Sequence, residues 1–317
     1  MSHHAVISEA STDAELAELG AVAAAVDRGP ATVEDLRHLR STVSHPVHLI
    51  ARIGGGVGFG YAGVWPGTEG DGVLQADLAV LPGHRGRGIG SALLGRISDH
   101  ARALGKGALQ FEVMEDDPLS LGYLERRGYS EVERQMQVAL RPADVDLSTL
   151  PPPPAGIDVV TRAERPDLLR GMYEVGEEAQ RDVPGLDGEQ VWTFDEWKAW
   201  EIDRPSNLPE LCFIALEGDR VAGYALLQAF GDTAYHGFTA VGREWRRRGV
   251  GRALTVRQIA AAKTMGFERL LCESEERNVP MRALTASMGY TPMPAAIVLQ
   301  GPPELTPDPG PAWRRPP

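Results

Sequence analysis

Two turns rich in arginine and glycine carry the chemistry this sequence offers most plainly. The first is Arg85-Gly86-Arg87-Gly88-Ile89-Gly90, followed by Ser91; the second is Arg246-Arg247-Arg248-Gly249-Val250-Gly251, followed by Arg252. Each follows an apolar run, ending at Val80 or Val241, and each opens an amphipathic helical pattern. Glycine has no Cβ, so consecutive backbone N–H groups in such a turn can converge on an anion. A helix starting there adds orphan amides and the positive end of its dipole, and arginines add forked donors that match phosphate oxygens. The chemistry implied is a cradle for phosphate or diphosphate.

Two familiar cradles fit poorly. A P-loop needs a lysine and a Ser/Thr at set places, and neither copy has them. The dinucleotide fingerprint comes closer, because a strand precedes Gly88-Ile89-Gly90 and an acid, Glu112, follows about twenty residues later. Its third glycine is replaced by Leu93 and Leu254, and the turn comes late in its unit, so an NAD-dependent oxidoreductase is only a distant alternative. With arginine ahead of the glycines in both copies, the pattern resembles the R-x-x-G-x-G acyl-CoA loop of the GNAT superfamily of N-acyltransferases. The two copies align without a gap from Val80 and Val241 to Tyr129 and Tyr290, which marks a duplicated domain.

The resemblance implies an α/β (α+β) fold of two tandem GNAT-like units, each a mixed, mostly antiparallel sheet with helices on both faces. It implies acetyl-CoA, or another acyl-CoA, as cofactor, with its diphosphate on the glycine loop. Pantetheine would lie along the backbone of Leu78 and Val80, or of Thr239 and Val241, in a gap that a strand bulge opens. Asn278 occupies a position that touches cofactor in many family members, where the first copy has Asp117. Glu112, in Phe111-Glu112-Val113, and Glu273, in Cys272-Glu273-Ser274, stand where some members carry the base that deprotonates the acceptor; His236 is a further candidate base. The family's usual tyrosine acid is replaced by Leu124 and Thr285. Tyr123 is adjacent to Leu124 but turned by about 100° on a helix, so it is expected to face elsewhere. Trp192, Phe194, Trp197 and Trp200 precede the second hairpin, where the resemblance places the acceptor; Trp197 and Trp200, at helical spacing, equally suit a core. The implied activity is direct transfer of acetyl to a primary amine of a small molecule, with the second half as the catalytic one. A CoA-binding or sensing protein without catalysis is the alternative from another class.

The elements that must position these residues are legible in order. Residues 1–142 form the first unit, 143–156 a linker stiffened by Pro151 to Pro154, 157–300 the second unit and 301–317 a proline-rich tail. Capped helices begin after Thr12, with Glu15 at the capping-box position, and after Thr32. Val73–Val80 and Thr233–Val241 are the strands that deliver the chain to the turns, and Ile89–Leu104 and Val250–Met265 are the helices that leave them. A net charge of −12 argues against a nucleic-acid binder, since phosphate backbones demand a basic face. The two cysteines, Cys212 and Cys272, have no metal or redox spacing and are expected free and buried. No metal site is expected; His3 and His4 read as polar terminal residues. No apolar run is long enough for a membrane span and the first residues lack a signal-peptide core, so a cytoplasmic protein without membrane contact is expected.

Overall fold

The computed structural model describes residues 5–26, 32–66, 68, 70, 72–183 and 192–303. His3 and His4, the helix break at 27–30, the turn at Pro184 and Gly185, and the tail from 304 onward lie outside them. The strands, in chain order, are β1 (Val6–Glu9), β2 (Ser44–Ile53), β3 (Gly55–Val64), β4 (Val73–Val80), β5 (Ala108–Met114), β6 (Ser130–Leu140), β7 (Ile157–Thr161), β8 (Cys212–Glu217), β9 (Arg220–Phe230), β10 (Thr233–Val241), β11 (Arg269–Glu275), β12 (Thr291–Pro292) and β13 (Ala296–Gly301). The helices are α1 (Asp13–Ala24), α2 (Val33–Thr42), α3 (Ile89–Ala103), α4 (Pro118–Glu125), α5 (Leu169–Gln180), α6 (Phe194–Trp197), α7 (Val250–Met265) and α8 (Val279–Ser287). No helix among the described residues is long and apolar enough to cross a membrane.

The chain divides into two compact units, one made of residues 1–135 and 294–317 and the other of 136–293. In the first, the strand order is β1-β2-β3-β4-β5-β13-β6, antiparallel except for β4 beside β5. Thr12 and Thr32 cap α1 and α2 with reciprocal capping boxes, as their spacing requires. The two faces of β3 show how the layers form. Phe59 packs with Leu16, Leu19 and Val22 of α1, while Gly58 and Gly60, pointing the other way, leave room for Leu93 and Ile97 of α3. Leu93, Leu94, Ile97 and Ala101 of α3 are fully buried, as the helical spacing predicts. Each such aliphatic side chain larger than alanine contributes about 1.5–3 kcal/mol.

The strand expected to close the second unit lies in the first. Residues 296–301 pair antiparallel with β5 on one side and with β6 on the other. Pro292 and Pro294 explain the departure: neither has an N–H to donate, and β12 ends after two residues against Ala139 and Val138 of β6. Ala296, Ile297, Val298 and Leu299 are buried in a run without alternation, the pattern of a strand covered on both faces.

In the second unit the order is β6-β11-β10-β9-β8-β7, with β12 also on β6. Tyr224 of β9 points toward α5 and Gly223 toward Leu254 of α7, so helices again cover both faces. The helix expected from Thr193 to Ile202 is one α-turn, Phe194–Trp197, continued by a wider π-turn over Lys198–Ile202. Such a turn inserts a residue and re-aims the side chains beyond it. The linker forms short 3-10 turns at Pro142–Asp144 and Leu147–Thr149, and Lys263 Nζ of α7 holds it by donating to the carbonyls of Ala143 (3.1 Å) and Val145 (2.6 Å).

Candidate active site

In both units the glycine turn has the backbone expected of an anion loop. Gly88 and Gly249 cap α3 and α7 at φ 81° and 87°, a left-handed conformation that glycine adopts without strain, and no side chain caps either helix. Gly86 takes φ 73°; its counterpart Arg247 takes φ 58°, so the second loop holds an arginine in the conformation the first assigns to glycine. The leading arginines are structural in part: Arg85 Nε donates to Val80 O (2.9 Å) and Arg246 Nε to Val241 O (3.0 Å), tying each turn to its strand. Ile89 and Val250 turn inward as core residues.

The surroundings of the loops differ. Arg85 and Arg87 are exposed, and Gly88 faces open space. In the second loop, Arg246 Nη1 meets Asp182 at 2.7 Å, Arg243 grips the same carboxylate with two bonds (2.8 and 2.6 Å), and Arg248 pairs with Glu217. The guanidinium of Arg243, with that of Arg246, pulls Asp182 down to about 2. Pro154 of the linker stands against Gly249, with its Cγ 3.1 Å from where a Cβ would be. Asp117 and Asn278 do the same job, accepting from Ser120 N (3.1 Å) and Met281 N (3.2 Å) to cap α4 and α8.

Ahead of each loop a parallel strand pair opens. β4 and β5 pair only over Val73–Gln75 with Ala108–Gln110, and β10 and β11 only over Thr233–Tyr235 with Arg269–Leu271. Leu78, Val80, Thr239 and Val241 lie past those ends, bound to β3 or β9 on one side and open on the other. A register shift between His236 and Thr239 bulges β10, whereas β4 runs against β3 without interruption. Thr239 Oγ1 is buried without a hydrogen-bond partner among the described residues.

Of the candidate bases, Glu112 is exposed on β5 opposite Val298 of β13. Glu273, on β11, is exposed as a residue; desolvation of its carboxyl raises its pKa, opposed by a hydrogen bond from Gln137 Nε2 (2.7 Å). Desolvation lowers His236 to about 4, and both ring nitrogens are engaged, Nδ1 with Gln258 Oε1 (2.9 Å) and Nε2 with Tyr290 Oη (2.5 Å). Gln258 Nε2 donates in turn to Leu226 O (2.8 Å), so a neutral ring satisfies the whole chain. Cys212 and Cys272 are free and buried, and burial pushes both thiols up to about 12.

Two further residues were not legible in advance. Tyr123 does not face away. Leu124 turns into the core, and the next face of α4 lies over the start of α3, where the Tyr123 hydroxyl reaches Ser91 Oγ (3.5 Å) and passes beside Gly90. Buried Arg127 holds it there, stacked 3.7 Å from the ring centroid, with Nη1 donating to Tyr123 O (2.8 Å) and Nη2 to Ser91 Oγ (3.2 Å). The second is Glu201. Its Oε2 accepts from Trp197 Nε1 (3.0 Å) and Tyr224 Oη (2.9 Å), and desolvation raises the carboxyl to about 7. Of the aromatic segment, Trp197 is core, while Trp192, Phe194 and Trp200 are part-buried.

Residues 18–129 and 172–290 each match the acetyltransferase (GNAT) family. A mycothiol acetyltransferase of Geodermatophilus obscurus is 29% identical over 253 residues, covering 77% of this chain and 78% of that one. A mycothiol acetyltransferase of Stackebrandtia nassauensis is 28% identical over 294 residues, covering 89% and 93%. Among solved structures, a tandem GNAT protein from the clavulanic acid biosynthesis pathway superposes with a TM-score of 0.76 at 19% identity, covering 95% of this chain and 99% of that one. The two open strand pairs, the two glycine-capped loops and the two matched regions lead to one conclusion: this chain belongs to the GNAT acetyltransferase family and carries its domain in tandem.

Proposed function

We propose that the protein moves an acetyl group from acetyl-CoA to the primary amine of a small molecule, and that the second unit performs the chemistry. The observation that carries this reading is the bulge in β10 beside the opened β10–β11 pair, with the desolvated carboxylate of Glu273 on β11. Acetyl-CoA, when bound, supplies the acetyl group already activated as a thioester. The amides of Gly249 to Arg252 and the dipole of α7 would hold its diphosphate, with the Arg246 and Arg248 side chains engaged by Asp182 and Glu217. The buried Thr239 hydroxyl, lacking a partner among the described residues, suits a polar group of the pantetheine arm.

Glu273 is the residue that removes the acceptor's proton, directly or through a water; its raised pKa brings it closer to that of an ammonium than an ordinary carboxylate is. Thr285, in the place of the family tyrosine, donates its hydroxyl to Met281 O (3.2 Å) and Arg282 O (3.1 Å), so α8 presents no acid there. The first unit, with its open loop, binds cofactor through Gly86 to Ser91 without turning it over.

The relatives' name directs the acceptor search to mycothiol-type small molecules first. Release of free thiol from acetyl-CoA, measured against a panel of such primary amines, tests the reading. Amine-dependent release is expected; tight acetyl-CoA binding with no amine-dependent release from any acceptor would make this a binding protein instead.

A further inference from the structure

The second unit contains a carboxyl group with one oxygen that neither the fold nor the proposed proton transfer uses. Glu201 sits on the π-turn after α6, inside an aromatic cluster of Trp197, Tyr224, Tyr173 and Phe194. Both of its hydrogen bonds fall on Oε2. Oε1 takes neither, and on this half-buried side chain it stays open to water and so to a ligand. The fold makes room for this arrangement: a Cβ on Gly176 would stand 2.6 Å from the Tyr224 hydroxyl, so only glycine in α5 lets that hydroxyl reach Glu201.

The surroundings suit a cation. The outer aromatic faces already carry guanidinium groups, Arg204 over Trp200 at 5.1 Å and Arg170 over Tyr173 and Phe194 at 5.3 Å each. Trp192 stands edge-on to Trp200 at 6.4 Å, and its indole N–H is buried without a partner among the described residues. Asn207 Oδ1 and Ser206 Oγ, just beyond the π-turn, are likewise buried and unpartnered there, and Asn207 Nδ2 donates to Glu201 O. The cluster also reaches the bulge of β10, where Phe238 packs on Tyr224 at 6.2 Å.

We propose that Glu201, framed by Trp197 and Tyr224, is the specificity-determining carboxylate of the second unit, taking the ammonium group of the small-molecule acceptor on Oε1. The inference rests on the proposed function and names the feature by which that site selects its substrate. The charged and titratable groups around Glu201 are Arg204, which favours its ionised form, Tyr224, and Cys212, whose thiol is bonded by Arg162. Burial outweighs Arg204, so the carboxyl ionises near about 7. Ammonium recognition therefore strengthens as pH rises through that value.

The test titrates the full chain with n-butylammonium and with uncharged n-butanol, following tryptophan fluorescence from pH 6 to pH 8.5. Wild type is expected to prefer the ammonium at least about tenfold at the upper end, and Glu201→Gln, which keeps an acceptor for Trp197 and Tyr224, to lose that preference while binding acetyl-CoA as before. Tyr224→Phe removes a donor to the carboxylate, so it should move the midpoint of the preference to higher pH. A folded Glu201→Gln that still prefers the ammonium overturns the proposal, as does an unmoved midpoint in Tyr224→Phe. Acetyl transfer measured in parallel separates the two readings. Ammonium binding without transfer to any amine sinks the proposed function alone, and transfer with an unchanged amine KM in Glu201→Gln sinks the role of Glu201 alone.

Discussion

Replacing Gly90 and Gly251 with glutamate tests the cradles at their centre. An added Cβ at Gly90 would meet Val80, Tyr123 and Leu78 at 3.8–4.0 Å, and one at Gly251 would meet Val241 and Leu284 at 3.7–3.9 Å, all ordinary contacts. Neither glycine has a positive φ, so both variants should fold. The new carboxylate would stand in the first turn of the helix, where the diphosphate is proposed to sit. Two unit charges about 4 Å apart at an effective dielectric near 20 repel by about 4 kcal/mol, close to a thousandfold in affinity. Calorimetry should show two CoA binding events in wild type and one in each variant, with turnover lost only in Gly251→Glu. The first-unit event should weaken more steeply with salt, because Arg85 and Arg87 are exposed while Arg246 and Arg248 sit in ion pairs. Unchanged CoA affinity in the double variant would refute the cradles. Loss of turnover in Gly90→Glu with Gly251→Glu unaffected would move the chemistry to the first unit.

Glu273→Gln should lower turnover about 10²–10⁴-fold, with the rate recovering as pH approaches the amine's own pKa; a wild-type rate across pH removes Glu273 as base. Glu201 binds its proton more tightly when folded, from an ordinary 4.5 to about 7, so its penalty is absent below the lower value and fully present above the higher. Melting curves of Glu201→Gln and wild type should coincide near pH 5 and separate by pH 8 in favour of the variant, by at most about 3 kcal/mol; parallel curves would contradict the burial. His48 is 1% exposed, has no hydrogen bond at either ring nitrogen among the described residues, and packs on Tyr61 with centroids 5.0 Å apart. His48→Phe should stabilise by about 1–3 kcal/mol, and more as pH falls from 6.5 toward about 4, where the unfolded histidine is protonated and the buried one is not; a lower melting temperature at pH 5 contradicts this. Gly176→Ala should cost about 1–3 kcal/mol through its clash with the Tyr224 hydroxyl, and a neutral result in denaturant melts would show that the ring has room to move.

The features legible in the sequence were those set by local rules. β4, β10 and α7 fall on their expected bounds because one β-rich run ends at a turn and one amphipathic period begins after it. Capping at Thr12 and Thr32 needed only three residues of spacing. The features missed depend on residues far apart in the chain. Asp182 neutralises Arg246 from another element, and β13 finds its partners beyond the whole of the second unit. Tyr123 is rotated from Leu124 as a helix requires, but the next face of α4 covers the start of α3, a contact between elements far apart in the chain. Glu201 left one usable trace, an acid four residues after Trp197 in an aromatic helix; the π-turn that aims it inward has no periodic signature.

The placement of β13 bears on how the chain can be made and how it can evolve. A ribosome extrudes residues 1–135 long before 296–301, so β5 and β6 emerge with a missing neighbour between them, and their unpaired edges wait for nearly the entire second copy. A fragment cut at the natural seam between the repeats would keep that gap permanently. Gene fission or loss of the second copy would therefore have to replace β13 between β5 and β6, whichever half does the chemistry. An idle binding loop can persist for as long as the other half works, because the chain that carries one finishes the sheet that carries the other.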